Sequence, residues 1–193
     1  MKVILASGSP RRKELLKLVV PNFEIIESNV EEALEDKLTP REQAERLAYI
    51  KAKSVFDKTK EDRVIIGADT IVVKNEKIYG KPKDKENAKE MIKELLEGDR
   101  IHEIITAFTV IISKDGKCRE YKTSDKVKVY LKSISDKEIE WWINIGKWTD
   151  KAGAYGMQDE FCVFIEKVEG NYHTAIGLPT EKLYSIIKEY INI

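Results

Sequence analysis

Residues 2–16, KVILASGSPRRKELL, change from a strand pattern to a helix pattern across one short loop. The apolar run KVILA at 2–6 is typical of a buried strand. Small turn residues follow at 7–9, and Pro10 is a residue favoured at the first position of a helix. A strand that leads at once into a helix is the repeating unit of α/β folds, so this segment predicts that fold class.

The rest of the chain continues to alternate strand and helix patterns. Thr39, Pro40 and Glu42 form a capping-box start for a helix that we expect to run to about Phe56. The apolar residues 64–73 predict a buried strand. We also expect strands at 23–27, 101–112, 118–131 and 161–168, and helices that begin after Asp84, Ser135 and Pro179. The pattern predicts an α/β or α+β fold with a mixed sheet and flanking helices, in a single domain over residues 1–193.

Charge and cysteine content exclude several classes of partner and site. The 34 basic and 34 acidic residues cancel, which argues against a stable nucleic-acid partner or a membrane surface. Cys118 and Cys162 form no CxxC pair, and no signal-peptide pattern is present, so we expect a cytoplasmic protein with reduced thiols. No apolar run approaches the roughly 20 residues that cross a bilayer. The histidines, His102 and His173, are isolated, which disfavours a zinc site.

The start of the first helix carries two arginines where the helix dipole disfavours positive charge. With Ser9 as the N-cap and Pro10 as the first helical residue, Arg11 and Arg12 come next, at a cost of up to about 1 kcal/mol each. Free backbone N–H groups, two guanidinium groups and the short side chains of Ser7 and Ser9 would form a cradle for an anion such as a polyphosphate. A solvated helix end, with both arginines in water, is the equally weighted alternative.

A carboxylate and a lysine are predicted to lie among apolar residues and therefore to need partners. Asp69 interrupts the apolar strand at 64–73, where an unpaired carboxylate is costly, so we expect a cation or a metal beside it. Lys51 falls on the apolar stripe of its helix and needs a partner. A loop could bring Glu31 or Glu32 to the same site. The alternatives are an Asp bonded to backbone amides and an acidic pair on the solvated surface.

Two loop residues are further candidates for substrate contact. Lys81 precedes Pro82, which fixes the backbone beside a lysine that could bind phosphate. Gln158 ends the segment GAYGMQ at 153–158, in a chain with one other glutamine, Gln43. Its amide offers a donor and an acceptor that suit a nucleobase edge. Lys81 is one of 34 basic residues, so it carries little weight by itself, and a solvent-exposed loop amide is the alternative for Gln158.

Several ordered motifs resemble those of the Maf family of nucleoside triphosphate pyrophosphatases across nearly the whole chain. The matching segments are ASGSPRRKELL at 6–16, NVEE at 29–32, LAYIKA at 47–52, GADTIVV at 67–73, GKP at 80–82, HEIITA at 102–107, DKAGAYGMQ at 150–158 and GNYHTAIGLP at 170–179. Their order and spacing make the resemblance specific, because it rests on many motifs and not on one short pattern.

The resemblance implies a fold, a reaction and a cofactor. The implied fold is α/β with a mixed twisted sheet and two lobes around a deep nucleotide-binding cleft, similar to inosine triphosphate pyrophosphatases. The implied reaction is attack of water on the α-phosphorus of a nucleoside triphosphate, assisted by a divalent metal such as Mg²⁺, Mn²⁺ or Co²⁺. Its products are the nucleoside monophosphate and pyrophosphate. A homodimer is compatible with the resemblance.

The resemblance also implies roles for individual positions. Asp69 matches the catalytic acid of the GADT motif and Glu32 matches a carboxylate implicated in metal binding or catalysis, so both are expected metal ligands. Asp69 is expected to hold the metal, to activate the water, or both. Lys51 and Lys81 match basic residues that face the phosphates. The expected substrate-binding residues are Ser7, Ser9, Arg11, Arg12, Thr70 and Gln158; in the branch that prefers dTTP and UTP, base choice is associated with Arg11, Thr70 and Gln158.

The sequence therefore predicts a pyrophosphatase that acts on dTTP, UTP and modified pyrimidine triphosphates. A purine substrate such as 7-methyl-GTP is the alternative within this class, and a nucleic-acid-binding or cell-division regulator is the alternative outside it. The chain departs from the family pattern after Gln158, where Asp159-Glu160-Phe161 stand in place of the usual glycine-rich residues. We expect this departure to reshape the loop beside the base.

Overall fold

The computed structural model describes residues 1–59 and 62–191. Its strands are β1 (Lys2–Leu5), β2 (Glu24–Ile25), β3 (Arg63–Lys74), β4 (Lys77–Tyr79), β5 (Ile101–Lys114), β6 (Lys117–Leu131) and β7 (Ile165–Glu169). Its helices are α1 (Pro10–Lys17), α2 (Pro40–Phe56), α3 (Lys85–Leu96), α4 (Asp136–Ile145), α5 (Tyr172–Ile176) and α6 (Thr180–Ile187).

The strands of the described residues form one mixed sheet in the order β2-β1-β3-β5-β6-β7, and β4 pairs with β3. β1 runs parallel to both β2 and β3. The pairs β3–β4 and β6–β7 are antiparallel. The predicted mixed α/β fold with flanking helices is confirmed.

The chain folds into two compact units. Unit 1 contains Met1–Asp69, Thr106–Asp125 and Gly177–Ile193, and unit 2 contains Thr70–Ile105 and Lys126–Ile176. β3, β5 and β6 therefore contribute residues to both units. Within the described residues, no helix is long and apolar enough to cross a membrane.

In unit 1, the strand and helix predicted at the N-terminus form as expected. β1 lies between β2 and β3, with Ile4 opposite Ile65 in the parallel register. Ile4 and Ile65 are fully buried and pack with Val55 of α2 and Ile111 of β5. Helix α2 begins with the predicted capping box and ends at Phe56, as its apolar stripe indicated.

Helix α2 lies directly against β3 at Gly67. A Cβ atom on Gly67 would lie 2.5 Å from Ala48 O and 2.5 Å from Ala52 N, so no larger residue fits this crossing. Alternate residues of a strand face the same side, so Asp69 shares the side of β3 on which Gly67 meets the helix. This crossing brings Lys51, the neighbour of Ala52, to the carboxylate of Asp69.

Unit 2 has its own apolar core, built around aromatic side chains. Trp142 of α4 is fully buried and its indole N–H donates to Ala154 O at 2.9 Å. Phe161 packs against Trp142 and against Tyr155, with ring centroids 5.4 Å and 4.7 Å apart. Ile92 of α3 is fully buried in the same cluster.

Two of the predicted strand bounds are wrong. Residues 161–164, predicted as the start of a strand at 161–168, lie in the 3₁₀-helix Glu160–Phe164, and β7 begins only at Ile165. In a 3₁₀-helix, residues three apart lie on one face, so Phe161 and Phe164 are both buried there. The strand predicted at 23–27 is limited to Glu24–Ile25. The short elements β4 and α5 were not predicted.

Candidate active site

The first helix begins where the sequence predicts, with Pro10 as its first residue and Ser9 at the N-cap. The Ser9 side chain makes no capping hydrogen bond within the described part of the chain. Instead the Ser9 backbone N–H donates to Ser7 Oγ at 3.3 Å, which closes the loop between β1 and α1. Ser7 is buried, so this serine stabilises the loop and is also a candidate substrate-binding residue.

Arg12 is held in place by two further hydrogen bonds inside unit 1. Its Nε donates to Gly177 O at 3.0 Å, and its Nη1 donates to Ser7 Oγ at 3.1 Å. Burial lowers the pKa of the Arg12 guanidinium, and the negative charge of Asp69 opposes that shift. Arg11 is half-buried at the same helix start. For Arg12, the structure therefore departs from the alternative of a helix end with both arginines in water.

Lys51 connects two carboxylates that lie far from each other in the sequence. Its Nζ lies 2.6 Å from Asp69 Oδ1 and 2.9 Å from Glu32 Oε1. The side chains of Lys51 and Asp69 are each 7% exposed, whereas that of Glu32 is 49% exposed. The structure thus supplies both expected partners: a cation for Asp69 and carboxylates for Lys51. Of the acidic pair Glu31-Glu32, it is Glu32 that reaches the lysine.

The environment of Asp69 favours its protonated form more than water does. Burial raises the pKa of the Asp69 carboxyl, the positive charges of Lys51 and Arg12 oppose the rise, and the carboxylate of Glu32 adds to it. A carboxylate with a raised pKa accepts a proton more readily near neutral pH than an ordinary aspartate. Asp69 is therefore suited to proton transfer as well as to holding a cation.

The other predicted site residues belong to unit 2. Thr70 follows Asp69 in β3 and is half-buried, whereas Lys81 and Gln158 are exposed. The loops that carry Lys81 and Gln158 are joined, because the Gly153 N–H donates to Gly80 O at 3.1 Å. Unit 2 therefore brings the GKP and GAYGMQ motifs together.

One charged cluster in unit 2 was missed by the sequence analysis. Lys151 is buried, and its Nζ lies 2.7 Å from Asp150 Oδ1 and 3.2 Å from Asp159 Oδ2. The same Asp159 oxygen accepts a hydrogen bond from Gln158 Nε2 at 3.4 Å. The only sequence signal was the departure from the family pattern at Asp159, because loop residues have no periodicity that reveals burial.

Metal ligation at this site would rest on carboxylates. Within residues 1–59 and 62–191, no group of three or more His, Cys, Asp or Glu side chains is arranged to hold a metal ion. Cys118 and Cys162 are exposed and free, and His102 is buried against Tyr155. The acidic side chains that lie together at the candidate site are Asp69 and Glu32.

Comparison with known proteins identifies the family. The model of the family described as Maf-like protein matches residues 2–190. The dTTP/UTP pyrophosphatase of Alkaliphilus metalliredigens is 45% identical, over 100% of this chain and 97% of that protein. The dTTP/UTP pyrophosphatase of a Thermoanaerobacter species is 44% identical, over 100% and 98%. Among solved structures, the Ham1 protein of Staphylococcus aureus is 11% identical with a TM-score of 0.49, covering 98% of this chain and 99% of that one. By sequence, the chain belongs to the Maf-like protein family.

Proposed function

We propose that this protein is a nucleoside triphosphate pyrophosphatase that hydrolyses dTTP and UTP to the monophosphate and pyrophosphate. Relatives that carry this description match the full length of the chain at 45% and 44% identity. The observation that carries the mechanism is the buried ion pair between Lys51 and Asp69, shared with Glu32. It places a carboxylate with a raised pKa beside fixed positive charge, an arrangement that suits hydrolysis of a charged phosphoanhydride.

The start of α1 is the proposed phosphate-binding surface. Backbone N–H groups at a helix start attract anions, and Arg11 and Arg12 add charge there. The hydrogen bonds from Arg12 to Gly177 O and Ser7 Oγ fix its guanidinium before the substrate arrives. A fixed guanidinium loses less side-chain entropy on binding. In this proposal Ser9 also contacts the phosphates, and the family resemblance assigns the same role to Lys81.

A divalent cation is the proposed cofactor, and the carboxylates of this site are its candidate ligands. Mg²⁺ is usually bound by one or two carboxylates together with phosphate oxygens and water. Glu32 and Asp69 provide two such carboxylates within 2.9 Å of one ammonium group. These two residues would therefore hold the ion, with Mg²⁺, Mn²⁺ and Co²⁺ as candidates. When bound, it would neutralise phosphate charge and acidify a water molecule.

Asp69 is the proposed acceptor of the proton from the attacking water. The water oxygen forms a bond to the α-phosphorus, the bond from that phosphorus to the bridging oxygen breaks, and pyrophosphate leaves. Lys51 holds the Asp69 carboxylate in one orientation through the 2.6 Å contact. Arg12 stabilises the negative charge on the phosphate oxygens as it redistributes.

Recognition of the base is assigned to Gln158, and the family resemblance assigns Thr70 and Arg11 to the same role. Gln158 is exposed, so its amide is accessible to a ligand. A primary amide can pair with the N3–H and the neighbouring carbonyl of uracil or thymine. The donor and acceptor of the Gln158 amide can therefore be satisfied by a pyrimidine, without a purine.

A substrate panel tests the proposal. The purified protein is incubated with dTTP, UTP, CTP, dATP, GTP and 7-methyl-GTP in the presence of Mg²⁺, Mn²⁺ or Co²⁺, and pyrophosphate is measured. We expect release from dTTP and UTP that stops when a chelator is added. Preference for 7-methyl-GTP would overturn the assigned substrate. A salt-dependent gel shift with DNA, without pyrophosphate release, would instead support a regulatory protein.

The same preparation tests two further proposals. We infer a homodimer from the family resemblance, and gel filtration with light scattering measures the mass directly against the 22.2 kDa chain. We infer a cytoplasmic location from the exposed free thiols of Cys118 and Cys162, which fit a reducing compartment. Thiol titration after cell lysis under alkylating conditions checks the redox state.

A further inference from the structure

Asp159 and Lys151 lie beside Gln158 in unit 2, outside the residues assigned so far. Asp159 Oδ2 accepts a hydrogen bond from Gln158 Nε2 at 3.4 Å and lies 3.2 Å from Lys151 Nζ. The Lys151 side chain is 9% exposed and that of Asp159 is 16% exposed. A buried ammonium thus holds a mostly buried carboxylate, and that carboxylate contacts the exposed amide.

Gly156 makes this convergence possible. A Cβ atom on Gly156 would lie 2.7 Å from Lys151 Cε and 3.0 Å from Gln158 Nε2, and still closer to Asp159 Oδ2. The three side chains therefore fill the space that any other residue would need. Lys151 is further fixed by donating to Lys147 O at 2.5 Å and by pairing with Asp150 at 2.7 Å. The position of Asp159 is set by a built network and not by a loop side chain free to rotate.

The chemistry of a carboxylate decides which way the amide faces. An ionised carboxylate has acceptors and no donor, so it pairs with the amide nitrogen of Gln158 and disfavours the amide oxygen. The NH₂ group keeps a second donor, and Oε1 stays available as an acceptor. Asp159 therefore holds the amide with a defined donor edge and a defined acceptor edge.

The orientation of that amide separates uracil and thymine from cytosine. Uracil and thymine present N3–H as a donor beside a carbonyl acceptor, which matches an amide whose oxygen accepts and whose nitrogen donates. Cytosine presents N3 as an acceptor beside an amino donor, which matches the flipped amide. A site whose polar groups are left unpaired by the wrong base discriminates strongly against it.

We propose that Asp159, held by Lys151, is a positioning residue that fixes the Gln158 amide in the orientation selective for uracil and thymine over cytosine. This inference rests on the proposed function, because it concerns the base-binding part of the same site. It assigns a role to the residue at which the chain departs from the family pattern.

Two isosteric substitutions provide a matched test. Asp159→Asn and Asp150→Asn each remove one carboxylate from Lys151, and the hydrogen bond from Gln158 goes to Asp159. An asparagine can donate or accept, so it permits both orientations of the glutamine amide. We expect D159N to lower the ratio of kcat/KM for UTP over CTP by about tenfold or more, with a gain for CTP. D150N should change that ratio by less than about twofold.

Each outcome decides between explanations. If D159N merely damages the loop, turnover of both UTP and CTP should fall. If D159N frees the Gln158 amide to take either orientation, turnover of CTP should rise. Three results would overturn the inference while leaving UTP hydrolysis standing. The first is an unchanged ratio of kcat/KM for UTP over CTP in D159N, and the second is an equal fall of that ratio in D159N and D150N. The third is a wild-type protein that hydrolyses UTP and CTP equally. Failure of the wild-type protein to release pyrophosphate from UTP and dTTP would overturn the proposed function, and the inference with it. Should circular dichroism show that D159N does not fold, D159S carries the same prediction.

Discussion

Lys51 Nζ lies 2.6 Å from Asp69 Oδ1, and both side chains are 7% exposed. The pair joins the buried face of α2 to β3 where Gly67 lets the helix approach the strand. Each charge depends on the other, because a single buried charge without its partner is strongly destabilising. The same ammonium also lies 2.9 Å from the partly exposed Glu32. The fold and the proposed chemistry therefore share one ion pair.

Asp69→Asn tests the proposed proton acceptor. The amide keeps the size of the side chain but cannot accept the proton from water, and general-base catalysis contributes about 10²–10⁴-fold. We expect pyrophosphate release from UTP to fall at least about a hundredfold, with an unchanged far-UV circular dichroism spectrum. Asp57→Asn, at a surface carboxylate paired with Lys53, is the control and should keep full activity. Near-normal turnover by D69N would remove Asp69 from the mechanism.

Lys51→Met tests the buried pair as a source of stability. The variant leaves Asp69 without its nearest cation, and such losses cost about 3–5 kcal/mol. Because the pKa of Asp69 is already raised by burial, the folded protein takes up a proton at a higher pH than the unfolded chain does. The stability of the variant should therefore recover as pH falls towards that raised pKa. Urea unfolding at pH 7.5 and pH 5.5 measures both effects.

A double variant separates the charge from the packing. Lys51→Met combined with Asp69→Leu removes both charges, and we expect it to be more stable than Lys51→Met alone at neutral pH. Equal stability of the single and double variants would mean that the unpaired carboxylate is not the cause of the loss.

Periodicity predicted the residues of this pair but not the complete site. Lys51 lies on the apolar stripe of a capped helix, and Asp69 interrupts an apolar strand. Both are local signals, and both correctly indicated a buried charge in need of a partner. The contact with Glu32 depends on the path of the loop before α2, which has no periodic pattern. The sequence could therefore offer Glu31-Glu32 as candidates without choosing between them.

Loop segments of unit 2 were the least predictable part of the chain. Lys151 and Asp159 are charged residues in a glycine-containing loop, and composition favours an exposed position for such residues. Burial of the lysine depends on tertiary contacts that local sequence does not encode. The sequence predicts a strand where the 3₁₀-helix Glu160–Phe164 lies, because short apolar runs are compatible with several structures. The site motifs were recognisable, whereas the network that supports one of them was not.

Gly67→Ala tests the close approach of α2 to β3. The added methyl group would meet Ala48 O and Ala52 N at 2.5 Å, and both are backbone atoms that cannot rotate away. Overpacking of this kind costs about 1–3 kcal/mol. We expect a lower melting temperature together with a loss of activity, because the helix that carries Lys51 is displaced from Asp69. Gly80→Ala is the control, since a Cβ there meets nothing within 4 Å. Equal melting temperatures for the two variants would contradict this account.

Arg12→Lys tests the fixed guanidinium. Arginine Nε and Nη1 bond to Gly177 O and Ser7 Oγ, two acceptors that one lysine nitrogen cannot reach in the same geometry. Hydrogen bonds made by charged groups contribute about 1.5–3 kcal/mol each. We expect kcat/KM for UTP to fall by about tenfold or more although the charge is kept. Steady-state kinetics with UTP measure the change, and an unaltered kcat/KM would show that charge alone is sufficient at this position.

The buried His102 should make unit 2 less stable as pH falls. Its Nε2 lies 2.5 Å from Tyr155 Oη, and burial, with a smaller contribution from the Lys74 charge, lowers the His102 pKa to about 3. An unfolded histidine titrates near pH 6.5, so between pH 6.5 and about 3 the unfolded chain binds one more proton than the folded protein. Stability should therefore fall as pH falls through this window, by up to about 1.4 kcal/mol per pH unit.

His102→Leu should remove this pH dependence of stability, but it should also lower the stability near neutral pH. The variant leaves the buried Tyr155 hydroxyl without its histidine partner, which costs about 1–3 kcal/mol at pH 7.5. The difference between variant and wild type should then shrink as pH falls, because only the wild-type protein still loses stability through His102. Urea unfolding at four pH values between 7.5 and 4.5 measures both slopes. A His102→Leu slope identical to that of the wild type would assign the acid sensitivity to other groups.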